Sequence, residues 1–303
     1  MNRSFPLADG DFPPYLSTAQ VALALGVSVA TVKRWVDGNV LPAHKTAGGH
    51  RKILTADVVR LVRDGNLPRA DLSRLVPGRT TAGTTDTALL REQLTAAARD
   101  LDADAIRAVI RSAYQNGVSI PALADEVVSP VMREIGHQWE AGKIEVIHEH
   151  RVTQACVAGL YELEAMVKAN AAKSRPVAVG GAPEFDNYWL PSLLARLTLL
   201  DVGWDAISLG PHTPMSAFRA ALDEMSPKLV WISVTHLANP KTFLTEYADF
   251  YREAEKRDVA VAIGGQALSR ELREQMTYTF HGDGFTQLAA FARTLHRPKR
   301  PKK

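Results

Sequence analysis

Across residues 174–296, short apolar runs alternate with helical ones, and few folds accommodate that order. The runs fall at 176–180, 206–209, 229–234, 259–263 and 278–280. Helices are expected around 190–200, 215–225, 241–256, 270–276 and 286–295. Five strands alternating with five helices imply a doubly wound parallel sheet, because parallel strands need a crossover and a helix usually supplies it. Such sheets take ligands outside the carboxyl ends of their strands, near the reversal of strand order. Small residues are expected at those ends: Gly180-Gly181, Gly210-Pro211, Ser233-Val234-Thr235, Gly264-Gly265 and Gly282-Asp283-Gly284. Many functions share this architecture, so the rest of the chain must decide.

The preceding stretch reads as four helices at 88–100, 103–116, 120–141 and 144–171. Leu89, Leu90 and Leu94, then Ile106, Val109 and Ile110, recur at the spacing of a bundle face. In the third helix Val128, Val131, Met132, Ile135 and Trp139 share one face. Gly142 ends that helix, since glycine adopts the left-handed cap without strain. Glu149 and His150 follow in the early turns of the fourth helix. An indole, a carboxylate and an imidazole thus meet at one corner. Taken alone, this pattern is equally that of a core tryptophan beside two solvated polar residues.

Before the bundle, 76–87 holds a proline, two glycines and five threonines and reads as a connector. The head, residues 1–75, begins with an irregular lead-in over 1–14. Ser17 or Thr18 then caps a helix bearing Val21, Ala22 and Leu25, and Gly26-Val27-Ser28 makes a tight turn into a second helix at 30–36. Thr31, Lys33 and Arg34 lie on that helix's polar side, where groove contacts to DNA come from, while Val32, Trp35 and Val36 pack inward. Residues 41–53 read as two short strands around a glycine tip carrying Lys45, Thr46, His50, Arg51 and Lys52 and no acid, which suits close approach to phosphates. A further helix is expected at 55–65. The head resembles a MerR-type winged helix-turn-helix, whose wing carries Thr-x-Gly-Gly-His-Arg as Thr46 to Arg51 do here.

Charge agrees with this division. Residues 1–75 carry 10 Lys/Arg against 6 Asp/Glu, and the tail 297–303 adds five positive charges and no negative ones. With a total of +3, the span 76–296 carries −6, so a polyanion partner is expected at the ends. Cys156 is the single cysteine, which excludes an internal disulfide and fits a reducing cytoplasm. No apolar run is long enough to cross a bilayer. No Ser-His-Asp set, metal cluster or phosphate loop stands out, and an enzyme is not expected.

The order of parts is similar to one known family. A four-helix bundle followed by a Rossmann-like or flavodoxin-like α/β domain resembles cobalamin-binding modules. With a MerR-type head in front, the whole resembles the light-responsive transcriptional repressors of the CarH/LitR type. That family's bundle carries Trp, nine residues, then Glu-His, matched here by Trp139 and Glu149-His150. The resemblance implies that these three residues lie over the upper face of the corrin, with His150 a possible upper-face ligand of the metal. Gly210-Pro211-His212-Thr213-Pro214 resembles the family's Gly-Pro-x-Thr-Pro loop, and Ser233, Thr235, Gly264 and Gly265 match its nucleotide-tail pocket. Implied partners are operator DNA, adenosylcobalamin and further copies of the chain as a dimer or tetramer. Light would break the cobalt–carbon bond and release DNA. The resulting division is head 1–75, linker 76–87, bundle 88–173, α/β domain 174–296 and basic tail 297–303.

One motif departs from the pattern. The family carries Asp/Glu-x-His-x-x-Gly after the first strand, and that histidine binds cobalt from below. Here the stretch is Asp186-Asn187-Tyr188-Trp189-Leu190-Pro191, with the acid kept, His replaced by Tyr and Gly by Pro. A neutral imidazole is a good cobalt ligand, whereas a phenol of pKa about 10 is a poor one at neutral pH. Three readings follow: cobalamin without a lower protein ligand, another tetrapyrrole or no ligand at all, or substitution by His212 or His236. A corrinoid carrier of the methyltransferase type is the alternative from another class, but it has no use for the head.

Overall fold

The computed structural model describes residues 15–45, 51–55, 57–58, 61, 86–169 and 175–296. The lead-in, the wing tip with Thr46 and His50, most of the connector and the basic tail lie outside the described residues.

The head opens with a strand that the sequence pattern did not reveal, β1 (Tyr15–Ser17). Ser17 closes it and caps α1 (Thr18–Leu25) in a reciprocal box with Gln20. Ser28 caps α2 (Val29–Asp37), on which Val32 is buried and Lys33 and Arg34 are exposed. The wing strands β2 (Ala43–Lys45) and β3 (Arg51–Leu54) pair antiparallel, and β1 adds to β3 on its other edge. Of the third head helix, Thr55, Asp57, Val58 and Leu61 are described, and each is helical.

The bundle begins with α3 (Thr87–Arg99) and α4 (Ala103–Gln115), capped by Asp86 and Asp102. The third rod is not uniform. It opens as a short α-helix, Ile120–Ala122, widens into π-helical turns, Leu123–Val128, and continues as α5 (Ser129–Glu140). Pro130 explains the widening, since it has no N–H and its ring presses on the carbonyl four residues back. The last rod, α6 (Val146–Ala169), starts later than expected, after the left-handed Gly142. Its buried Val152, Cys156, Leu160, Leu163 and Val167 face Ile106 and Ile110 of α4 in the bundle core. Burial pushes the Cys156 thiol up to about 12, so it stays a protonated packing residue.

The α/β half is a five-stranded parallel sheet ordered β5-β4-β6-β7-β8. Its strands are β4 (Val177–Pro183), β5 (Asp205–Thr213), β6 (Leu229–Ser233), β7 (Ala260–Gly264) and β8 (Phe280–Gly282). The intervening and final helices are α7 (Trp189–Asp201), α8 (Met215–Met225), α9 (Pro240–Lys256), the single turn α10 (Arg270–Arg273) and α11 (Phe285–Leu295). β6 is buried along its length, as a strand covered on both faces must be. Strand order reverses at β4, which places the switch point between the ends of β4 and β6. Two expectations need correction. β4 runs on to Pro183 and β5 to Thr213, so Gly180-Gly181 and Gly210-Pro211 lie within strands, where register shifts absorb them.

Bundle and sheet are joined by carboxylates. Asp125, in the π turns, accepts the N–H groups of Phe285 and Thr286 at 2.8 Å each and so caps α11 from the other half. In the opposite direction, Asp201 of α7 accepts the Ile120 N–H at 3.2 Å. Glu164 of α6 receives both arms of the Arg196 guanidinium, at 2.5 and 2.8 Å, and Lys168 at 2.6 Å. Burial pushes the Glu164 carboxyl up, but Lys168 and Arg196 outweigh it and hold its pKa below the ordinary value. A lowered folded pKa gives stability that is present above the unfolded pKa and lost as pH falls through the folded one. Urea unfolding is therefore expected to show a loss of stability below about pH 4.5, and Glu164→Gln is expected to flatten that limb.

Candidate functional site

A cleft of about 2060 Å³ lies between the bundle and the carboxyl ends of the strands. That exceeds the usual several-hundred-Å³ pocket of a drug-sized ligand. The corner residues line it from the bundle. Trp139, at the end of α5, is 43% exposed and is not core. Glu149 is held by Thr153 Oγ1 at 2.7 Å, with His150 Nε2 3.5 Å from its other oxygen. The His150 side chain itself is 70% exposed. The expected convergence of Trp139, Glu149 and His150 on one wall is thus present, and the core reading of Trp139 is not.

The opposite wall comes from the strand ends. Ser233, Thr235, His236, Gly264 and Gly265 line it, as does Tyr188. Gly265 has φ +119, and a Cβ there would stand 2.1 Å from the Val234 carbonyl oxygen, so only glycine fits. Thr235 Oγ1 is buried without a hydrogen-bond partner among the described residues. Beyond these residues the cleft continues between the sheet and two helices, along Leu194 of α7, Trp231, Ala262, Phe280 and Leu288 of α11.

Three expected site residues do not reach the cleft wall. Asp186 is fully buried and accepts the backbone N–H groups of Tyr188 at 3.1 Å, Thr235 at 2.6 Å and His236 at 3.0 Å. It clamps the loops after β4 and β6 together at the switch point. Burial pushes its carboxyl up, and these three donors pull it partly back. His212 turns away, its Nδ1 accepting the Phe185 N–H at 2.8 Å. Gly210 lines a separate, smaller cavity of about 380 Å³ beside α7. Tyr188 does face the cleft, 49% exposed beside Trp189 and Phe185.

Sequence reasoning missed Asp125 and Glu126, which line the cleft from the π turns, Glu126 being tied to Thr87 Oγ1 at 2.6 Å. The proline after the π segment was the available signal. It also missed His281, whose side chain is 4% exposed and which meets Arg273 Nη1 at 2.9 Å. Among the described residues no three His, Cys, Asp or Glu side chains converge to hold a metal ion. No described helix is long and apolar enough to cross a membrane.

In the head, Thr31 Oγ1 is engaged with the Ser28 hydroxyl at 2.8 Å, while Lys33 and Arg34 are the exposed cations of α2. Arg51 is drawn to Asp37 at 2.7 Å and pins the wing to the end of α2, leaving Lys52 as the exposed cation of β3. For Lys45 the backbone alone is described.

A helix-turn-helix domain model matches residues 15–66, and a B12 binding domain model matches 90–164. The chain therefore joins a helix-turn-helix head to a bundle of the B12-binding kind, and its resemblance to MerR-type regulators of the CarH class holds. Among individual relatives it is 24% identical to the "HTH-type transcriptional repressor CarH" of Myxococcus xanthus over 263 residues, which covers 80% of this chain and 86% of that one. It is also 24% identical over 195 residues to "Dimethylamine corrinoid protein 2" of Methanosarcina mazei, covering 63% of this chain and 90% of the relative. The solved monomethylamine corrinoid protein of Methanosarcina barkeri superposes with a TM-score of 0.59 at 16% identity, over 68% of this chain and 98% of that one, and shows the shared fold.

Proposed function

We propose that the chain is a transcriptional regulator, built of the five segments set out above, whose grip on operator DNA is governed by a cobalamin in the cleft. The observation that carries this reading is the cleft itself. Trp139, Glu149 and His150 face the strand-end residues Ser233, Gly264 and Gly265 across a space too large for an ordinary metabolite. The fit is good in three respects. The unpartnered Thr235 hydroxyl and the glycine-only backbone at Gly265 suit close approach of a polar ligand chain. The apolar continuation past Trp231 and Phe280 suits an aromatic base. The exposed indole of Trp139 suits packing over an axial group. The position expected to bind cobalt from below does not fit, being Tyr188.

When bound, adenosylcobalamin supplies a cobalt–carbon bond that light breaks. In this reading Trp139 would pack over the bound group and shield it from water, and Glu149 would keep His150 at the rim. Lys33 and Arg34 enter the DNA groove, and Lys52 contacts phosphate. The protein acts as a homo-oligomer and represses in the dark.

The test is a visible-spectrum titration with adenosylcobalamin, in the dark and after illumination, alongside a promoter-fragment gel shift. Trp139→Ala is expected to weaken ligand binding roughly 10- to 100-fold, from the apolar area that its indole buries. Its melting temperature should stay near wild type. A lowered melting temperature with unchanged binding would make Trp139 a packing residue and defeat the assignment. Arg34→Ala is expected to cost about 1–3 kcal/mol of operator binding and to relax base preference. An unchanged gel shift would remove α2 from the groove. Relatives named corrinoid proteins favour a second reading, a corrinoid carrier. A carrier leaves the 15–66 domain without a purpose.

A further inference from the structure

We propose that this chain holds its corrinoid with the nucleotide arm drawn into the α/β half and with no nitrogen, from protein or ligand, on the lower face of the cobalt. The proposal rests on the cobalamin reading and concerns how this cleft differs from one built around a histidine. Tyr188 stands at the N-cap of α7, and its exposed ring joins those of Phe185 and Trp189 on the lower wall. This wall offers ring faces to pack on, and the position expected to carry an imidazole carries the Tyr188 phenol.

The histidines on this side of the cleft are each accounted for. At His212, Nδ1 accepts the Phe185 N–H, so the proton sits on Nε2 and the neutral ring has no lone pair left for a metal. At His281, the neighbour of Nδ1 is a guanidinium, which can only donate. Its Nε2 lies 3.3 Å from Arg273 Nη1 and 3.7 Å from Asp283 Oδ1, so the buried ring is engaged on both nitrogens. His236 is exposed on the wall, but a ligating imidazole is normally oriented by a carboxylate or carbonyl on its other nitrogen. The carboxylate at that point, Asp186, is already committed to three backbone N–H groups. His137 and His150 belong to the bundle, on the opposite wall.

Room for the ligand's own base is nevertheless kept. The cleft passes Ser233 and Gly265 and runs on between β6, β7 and the helices, with Leu194, Trp231 and Leu288 as apolar walls. A base lodged there is removed from the cobalt, and no described residue is placed to replace it. Tail recognition and metal ligation, usually paired, are separated in this chain.

The full chain would be loaded with cob(II)alamin and examined by electron paramagnetic resonance. Free cob(II)alamin at neutral pH shows each cobalt line split by the nitrogen of its own base. On binding, that splitting is expected to vanish. Tyr188→His is expected to restore a threefold splitting that becomes twofold when the protein carries ¹⁵N-histidine. Cobinamide, which lacks the nucleotide arm, is expected to bind at least about tenfold more weakly than cobalamin, since it leaves the apolar arm unfilled. A nitrogen splitting in the bound wild type would overturn the proposal. If ¹⁵N-histidine changes it, the ligand is a protein imidazole, which His236→Gln would locate; if not, the base never left the cobalt. Equal affinity for cobinamide would overturn the placement of the arm. Failure of cob(II)alamin to bind would remove the cobalamin reading itself and this inference with it. Should Tyr188→His not fold, the wild-type spectrum still decides.

Discussion

Gly265→Ala is expected to destabilise the α/β half by about 3 kcal/mol or more and to reduce ligand uptake at least a hundredfold. Two costs coincide. The backbone at φ +119 is one that side chains other than glycine's hardly ever adopt. The added methyl would also stand 2.1 Å from the Val234 oxygen and 2.5 Å from its carbonyl carbon. Those are main-chain atoms, and no rotamer change relieves them. Val234 is itself held, donating to the Gly264 oxygen at 2.7 Å and accepting from Ala267 at 3.1 Å. Relief therefore means parting the ends of β6 and β7, where the cleft narrows toward its apolar arm. Urea denaturation and a cobalamin titration of the variant check this. Wild-type values in both would show that this loop is not held as described.

Asp186→Ala is expected to cost about 3–5 kcal/mol, because it leaves three part-buried backbone N–H groups without their acceptor. Thr235 and His236 would lose their anchor together, so ligand affinity should fall with stability. Asp186→Asn keeps one oxygen and should recover part of the loss. Equilibrium unfolding of both variants measures it, and an Ala variant within about 1 kcal/mol of wild type would mean that the clamp is not structural. The pH response separates this residue from Glu164. Burial raises the Asp186 carboxyl pKa in the folded state, so its contribution is full below the unfolded pKa and declines as pH rises through the folded one. Asp186 is accordingly not the group that fails in acid. The acid limb assigned to Glu164 should persist in Asp186 variants.

The alternation of the back half was legible because parallel strands buried on both faces leave short apolar runs between amphipathic helices. Strand ends were harder. Gly180-Gly181 and Gly210-Pro211 look like stops, yet the pairing of β4 with β5 carries both strands past them. β1 escaped notice since three residues are too few to show a period of two, and pairing with β3 is what fixes it. The π turns keep the apolar spacing of an α-helix and differ in their hydrogen-bond ladder, for which Pro130 is the one signal in the sequence. Asp125 reads as an ordinary helical acid because the amides that it caps lie 160 and 161 residues away. For Trp139 the pattern was compatible with both core and cleft, and exposure separates them. Asp186, Gly210 and His212 were placed by motif alone, and the contacts they make are with backbone or with other loops.

The crossed carboxylates also bear on how a large ligand gets in and out. Asp125 ties the π turns to the start of α11 and Asp201 ties the rod's beginning to α7, so on that flank the bundle is fastened to the α/β half. The other flank carries Trp139, Val146, His150 and Phe185, all exposed. On the cobalamin reading, a corrin would pass the exposed indole while these ties stay closed. On that reading Trp139 would be both the threshold of the cleft and its cover.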